Sequence, residues 1–409
     1  MRRTPKGLRC HIGLFGRRNV GKSSLLNAMT KQSVSIVSDF AGTTTDPVEK
    51  PMELLPLGPV LFIDTAGIDD SGDLGELRVK KTRKAFDRTD IGVIITTPGE
   101  WGEFEETIFR EFRERETPVI VVINKSDLGE PDGAAAREKK LKTVKTVATS
   151  GSGILDLRRA LLEAAPKHFV EQRPLVGDLI SGGQQAVLVI PIDKEAPKGR
   201  LITPQVRVIR EILDYDGYCT VVKERELRAA LEGFSREPDI VITDSQAFLK
   251  VAADTPRHIP MTSFSILFAR FQGDLAEMVN GTYTINSLRS GSKILIAEAC
   301  THHPIGEDIG RVKIPRWLTQ YVGGKLQIDT VSGRDFPDNL SEYELVIHCG
   351  SCMSNRRQML SRILHCKKAG VPVTNYGLTI AFSQGIFERA LEPFPGVSDI
   401  GRYFETEAG

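Results

Sequence analysis

Gly16-Arg17-Arg18-Asn19-Val20-Gly21-Lys22-Ser23 is the stretch that fixes the fold of the first part of this chain. It fits the pattern GxxxxGK[ST], and its surroundings are the ones that pattern requires. An apolar run, Cys10–Phe15, reads as a buried strand before it, and helical spacing begins at Lys22. A glycine-rich turn between strand and helix lets backbone N–H groups wrap a phosphate chain, and the helix N-terminus adds positive potential. Gly16 and Gly21 shape that turn, with Asn19 and Ser24 beside them. Lys22 is expected to reach the β- and γ-phosphates and Ser23 to ligate magnesium.

Two further motifs follow in order. Asp64-Thr65-Ala66-Gly67 ends the strand Val60–Ile63; Asp64 suits a water-mediated contact to magnesium and Gly67 a γ-phosphate sensor. Asn124-Lys125-Ser126-Asp127 ends the strand Val119–Ile123. A carboxylate at Asp127 can accept hydrogen bonds from the guanine N1–H and 2-amino groups, a pair adenine lacks. With Ile91–Thr96 as another buried strand, the expectation is a parallel sheet with helices on both faces.

These residues resemble the translation-factor-related GTPases, in the branch of TrmE and Era. The resemblance implies that Thr44, within Gly42-Thr-Thr-Thr-Asp46, senses magnesium and acts with Lys22 and Asp64 in catalysis; the pattern's arginine is Thr45 here. Val147-Ala148 stands before Gly151-Ser-Gly153-Ile154, where the branch reads Ser-Ala. Ile68 occupies the place of the water-orienting glutamine of Ras-type enzymes, so slow intrinsic hydrolysis is expected. Asn19 is the residue type that potassium-stimulated members use to hold a monovalent cation; a tolerant loop residue is the bland alternative.

The remaining chain carries a second constellation. Cys300-Thr-His302 is followed, after a gap of 45 residues, by His348-Cys349-Gly-Ser-Cys352. Lys293–Ala299 and Leu345–His348 read as strands that end at the two halves, where ligands of open α/β sheets sit. Thiolates select zinc or iron–sulfur clusters. Three Cys and one His suit a closed zinc site, and three Cys suit a 4Fe–4S cluster with one iron left for another ligand. His302, His348 and Glu307 are the candidates for that fourth position.

Composition sets the bounds. The chain has 409 residues, 26% of them charged and 40% hydrophobic, with formal net charge +1. This gives no global pull towards nucleic acid or an acidic membrane. The six cysteines show no disulfide framework, and no apolar run reaches membrane-spanning length. A reducing cytoplasm is expected. The periodicity divides the chain into a P-loop GTPase domain over 1–168, a small α/β middle domain over 175–262 with no catalytic constellation, and an α/β cluster-bearing domain over 263–409. Pro166–Pro174 reads as a linker.

Taken whole, an N-terminal GTPase of this branch, a middle block and a C-terminal CxH…HCxxC are similar to the HydF family of FeFe-hydrogenase maturation GTPases. That resemblance implies a 4Fe–4S cluster on Cys300, Cys349 and Cys352 and a homodimer formed through the middle domain. It also implies a diiron precursor carried to the hydrogenase apoprotein, and the radical-SAM maturases HydE and HydG as partners, with no nucleic acid or membrane. An RNA or ribosome-assembly GTPase with a structural zinc is the competing reading. The near-neutral charge and the lack of a GxxG loop after the GTPase part weigh against it.

Overall fold

The structure, a computed structural model, describes residues 6–31, 48–54, 57–65, 84–129, 139, 141–166, 169, 174–192, 201–299, 308–333, 335–352 and 354–398. It divides into two compact units, Met1–Gln172 and Arg173–Gly409.

In the first unit, β1 (Cys10–Phe15), β2 (Val48–Leu54), β3 (Gly58–Asp64), β4 (Ile91–Thr96), β5 (Val119–Ile123) and β6 (Lys142–Lys145) form one sheet in the order β2-β3-β1-β4-β5-β6. All pairs are parallel except β2 with β3. The antiparallel edge departs from the all-parallel expectation: only three residues separate β2 from β3 in sequence, and a parallel crossover needs a dozen or more. Both β1 and β4 are buried at every residue, as a sheet covered on both faces requires. One face packs Leu25, Leu26, Leu157 and Leu161 from the helices Lys22–Lys31 and Ile154–Ala164. On the other, Phe15, Phe86 and Phe112 meet as an aromatic triad with ring centroids 4.4 to 4.9 Å apart.

The second unit holds two four-stranded parallel sheets. The strands β7 (Gln185–Val189), β8 (Tyr218–Val222), β9 (Ile240–Thr243) and β10 (Met261–Ser263) run in the order β10-β9-β7-β8. The strands β11 (Lys293–Ala297), β12 (Gln327–Val331), β13 (Leu345–His348) and β14 (Val373–Asn375) run in the order β12-β11-β13-β14. One continuous hydrophobic cluster serves both sheets, from Leu175 to Phe394. Where the chain enters this unit, Glu211 Oε1 accepts the consecutive N–H groups of Leu175, Val176 and Gly177 at 2.5, 2.9 and 3.0 Å. β11 stops at Ala297, two residues short of the expected end; the Glu298 N–H still bonds Val331 O at 2.8 Å, and its buried carboxylate accepts from Arg311 and Ser332.

Candidate nucleotide and metal sites

The phosphate loop lies at the carboxyl end of β1. Strand order reverses there, since β3 lies on one side of β1 and β4 on the other, and such a switch point opens a ligand crevice. Two glycines are fixed by close approach. A Cβ on Gly16 (φ +156°) would lie 2.2 Å from the Ile95 carbonyl, and one on Gly21 (φ +94°) 2.3 Å from Asn124 Nδ2. Asn19 has φ +64°, a left-handed backbone that asparagine tolerates better than most residues. Lys22 Nζ donates to the carbonyls of Gly16 and Arg17 at 2.7 Å each, which folds the ammonium over the loop. Ser23 and Ser24 are exposed on the first turn of the helix.

Asp64 comes from the end of β3, paired with Leu14 of β1. Its Oδ2 accepts from Ser23 Oγ at 2.7 Å, so the two oxygen donors for a hard divalent cation stand together. The base-side loop is organised by Asn124, which is 1% exposed. Its Nδ2 donates to Val20 O at 2.8 Å, and its Oδ1 accepts from Thr146 Oγ1 and Ala148 N at 3.1 and 3.2 Å. One side chain therefore joins the phosphate loop, the Asn124–Asp127 loop and the loop after β6. Lys125 follows with φ +54°, and Asp127 is exposed at the rim. Thr44, Gly67 and Ile68 lie outside the described residues.

The cysteine half-motifs follow adjacent strands. Ala297 pairs with His348, so the carboxyl ends of β11 and β13 lie side by side. This is again a switch point, with β12 beyond β11 and β14 beyond β13. Cys349 N donates to Ala297 O at 2.9 Å, and Ala299 N donates to Cys349 Sγ at 3.0 Å. Burial pushes the Cys349 thiol up; hydrogen bonds from the Ala299 and Ser351 amides and the nearby Arg362 guanidinium act in the other direction. Ser351, with φ +55°, turns the chain towards half-buried Cys352, and the helix Arg356–Ala369 begins just beyond, capped by Asn355. Thiolate donors at a helix N-terminus suit an anionic metal cluster.

His348 is 1% exposed, and both its ring nitrogens have protein partners. Nδ1 lies 2.9 Å from Cys349 O and Nε2 lies 2.6 Å from Arg362 Nη1. Burial, with the Arg362 charge beside it, lowers its pKa to about 3. Neutral His348 then donates from Nδ1 and accepts at Nε2. Cys300, His302 and Glu307 lie outside the described residues, and among the described residues no group of three metal-binding side chains occurs. Arg362, whose second amino group holds Gly333 O at 2.6 Å, was not marked by the sequence. It looks there like any basic residue of a helix, 14 positions from its histidine.

A P-loop nucleotide-binding unit, followed by parallel α/β sheets with paired cysteines at a switch point, defines a GTPase-fold protein with an appended thiolate-bearing module. Residues 11–125 match a family model described as 50S ribosome-binding GTPase. Residues 175–273 match the Hydrogen maturase F dimerization domain and residues 276–393 the Hydrogen maturase F tetramerization domain, and these two span more than half of the chain. The chain belongs to the Hydrogen maturase F (HydF) family.

Among curated proteins it is similar to the tRNA modification GTPase MnmE. With the Synechocystis sp. protein it is 37% identical over 155 residues, covering 37% of this chain and 33% of that one. With the Aquifex aeolicus protein it is 33% identical over 215 residues, covering 50% of this chain and 46% of that one. The chain spans about a third to a half of the length of these relatives. The G domain of the T. maritima FeoB iron transporter is similar at 20% identity and a TM-score of 0.31, over 38% of this chain and 98% of that one. Among the described residues no helix is long and apolar enough to cross a membrane.

Proposed function

We propose that this protein binds and slowly hydrolyses GTP in its first unit and holds a 4Fe–4S cluster in its second, as a scaffold that carries a diiron precursor to FeFe-hydrogenase. At the nucleotide, Lys22 neutralises charge on the β- and γ-phosphates, Ser23 and Thr44 hold magnesium with Asp64 behind a water, and Gly67 senses the γ-phosphate. Asp127 selects guanine, and a potassium ion held at Asn19 supplies the charge that no glutamine provides. The glycine cradle and the Ser23–Asp64 pair support this assignment.

Cys300, Cys349 and Cys352 are assigned to the cluster. The fourth position goes to His302 or Glu307 rather than His348, whose ring nitrogens are both engaged. One observation carries the reading: Ala299, the neighbour of Cys300, donates its N–H to Cys349 Sγ at a switch point of a HydF-family chain. HydE and HydG are the proposed upstream partners. Self-association through the middle domain is supported by the edge strand β8, where Tyr218 and Val221 are each 46% exposed. Anaerobic reconstitution with iron and zinc counted tests the assignment. The parent should take up about four irons per chain and the Cys349→Ala variant far less, with GTP hydrolysis kept in both. Bound zinc without iron would favour the structural-zinc GTPase instead.

A further inference from the structure

The phosphate loop is braced from outside by an ion pair that the GTPase motifs do not contain. Arg17 is its second residue. Its Nε and one amino group bind the two oxygens of Glu105 at 2.9 and 3.0 Å, and its guanidinium lies over the Phe104 ring, 5.4 Å from the centroid. Glu105 is fully buried, in the first turn of the helix Glu103–Glu114. The same carboxylate accepts the Gly102 N–H at 2.9 Å, closing the start of that helix. A carboxylate taken this far from water is stable only with such partners. The Arg17 carbonyl, meanwhile, accepts from Lys22 Nζ. A continuous chain therefore runs from Glu105 through the Arg17 side chain to its carbonyl, and from there to the phosphate-binding lysine.

We propose that Arg17 and Glu105 are a positioning pair that sets the Arg17 carbonyl, and through it the Lys22 ammonium, for nucleotide binding. Neither needs to touch GTP. Planar two-pronged pairing fixes orientation as well as distance, which a lysine at position 17 would not do. This inference rests on the nucleotide-binding reading of the loop, and GTP binding by the parent protein tests that reading separately.

The experiment is a fluorescent-GTP titration of the full chain with Glu105→Gln, Arg17→Met, Arg17→Lys and the Arg17→Met/Glu105→Gln double variant, beside melting of each apoprotein. Glutamine at 105 keeps an acceptor for the Gly102 N–H and removes the charge. Each single variant should weaken GTP binding about tenfold, the scale of losing a charge-assisted two-pronged contact. The double variant should bind no worse than the weaker single, since the pair is lost once. The Arg17→Lys protein should recover only part of the affinity. Should Glu105→Gln fail to fold, the partly exposed Arg17 gives the same reading through its own two variants. Binding within twofold of the parent in Arg17→Met, or losses that simply add in the double variant, would overturn the pair's role. So would full recovery by lysine. A parent that does not bind GTP would instead sink the nucleotide reading itself.

Discussion

Asn124→Ala removes the side chain that holds three loops of the nucleotide site together. Three hydrogen bonds are lost, to Val20 O, Thr146 Oγ1 and Ala148 N, all around a residue 1% exposed. Each is worth about 1 kcal/mol net, and a buried partner left unmatched costs about 1–3 kcal/mol. Thr146, itself 1% exposed, can turn its hydroxyl elsewhere, whereas the Val20 carbonyl and the Ala148 amide are fixed by the backbone. The first unit should therefore lose roughly 3 kcal/mol, read as an earlier unfolding transition in urea at unchanged slope. Guanine nucleotide binding should fall by more than the stability loss accounts for, because the phosphate loop and the base-side loop lose their common anchor. Asn124→Asp separates the two ends of the side chain: it keeps an acceptor for Thr146 and Ala148 but sets a carboxylate oxygen against Val20 O. It should be about as damaging as alanine. A loss below about 1 kcal/mol in the alanine variant, with nucleotide binding intact, would refute the view that this one amide organises the site.

Three other outcomes can be measured. Turnover of GTP should be faster in potassium than in sodium at equal ionic strength; Asn19→Gly, which accepts φ +64° without strain, should erase the difference while leaving the loop formed. His11 is buried, and burial lowers its pKa to about 4, opposed by its bond to the Lys6 carbonyl. Its folded pKa lies below the unfolded one near 6.5, so the unfolded chain takes up the proton first and stability falls as pH drops from about 6.5 to 4, by at most about 1.4 kcal/mol per unit; urea titrations should show this slope, flattened in His11→Gln. Val221→Lys places a charge on the open edge strand β8 and should shift the protein to a smaller species by light scattering, with the melting temperature little changed.

Motif-bearing strands were the most legible parts of the sequence. β1, β4, β5 and β13 begin and end where the apolar runs do, because each is a short buried run closed by a glycine, threonine, asparagine or histidine. β2 escaped, since Val-Glu-Lys-Pro-Met-Glu-Leu carries charges and a proline tolerable only at a sheet edge. β12 escaped for a similar reason: its Gln-Ile-Asp-Thr-Val is largely exposed at the edge of its sheet. At the sites, the residue types of the GTPase motifs were readable because backbone geometry forces them, as at Gly16 and Gly21. Supporting groups were not. Glu105 has the pattern of an ordinary acid in a first helical turn, and Arg362 that of a surface base, until the fold brings Arg17 and His348 to them.

The common core of the second unit bears on how its two sheets act. Two buried or half-buried arginines, Arg389 and Arg356, and one asparagine cross between them. Arg389, 5% exposed, donates to the carbonyls of Ala252, Thr255 and Pro256, at the C-terminal end of the helix Phe248–Asp254. Arg356, from the first turn after the Cys349–Cys352 loop, donates to Phe271 O and Gly273 O at 2.9 and 2.7 Å, closing the helix Phe264–Gln272. Within the first sheet's own layer, Arg207 of the helix Thr203–Asp214 lies over the Phe271 ring at 4.4 Å. Asn375, at the end of β14, holds Ser265 O at 3.0 Å. The helix that follows β10 is thus held at its start by the sheet of the cysteine loop and at its end by the helix leaving that loop. Carbonyls at a helix C-terminus attract a guanidinium through both hydrogen bonding and the helix dipole, and a buried arginine cannot leave them without stranding its charge. The helix Phe264–Gln272 therefore ties the sheet that ends in the edge strand β8 to the sheet that bears the Cys349–Cys352 loop, within the one hydrophobic cluster the two sheets share.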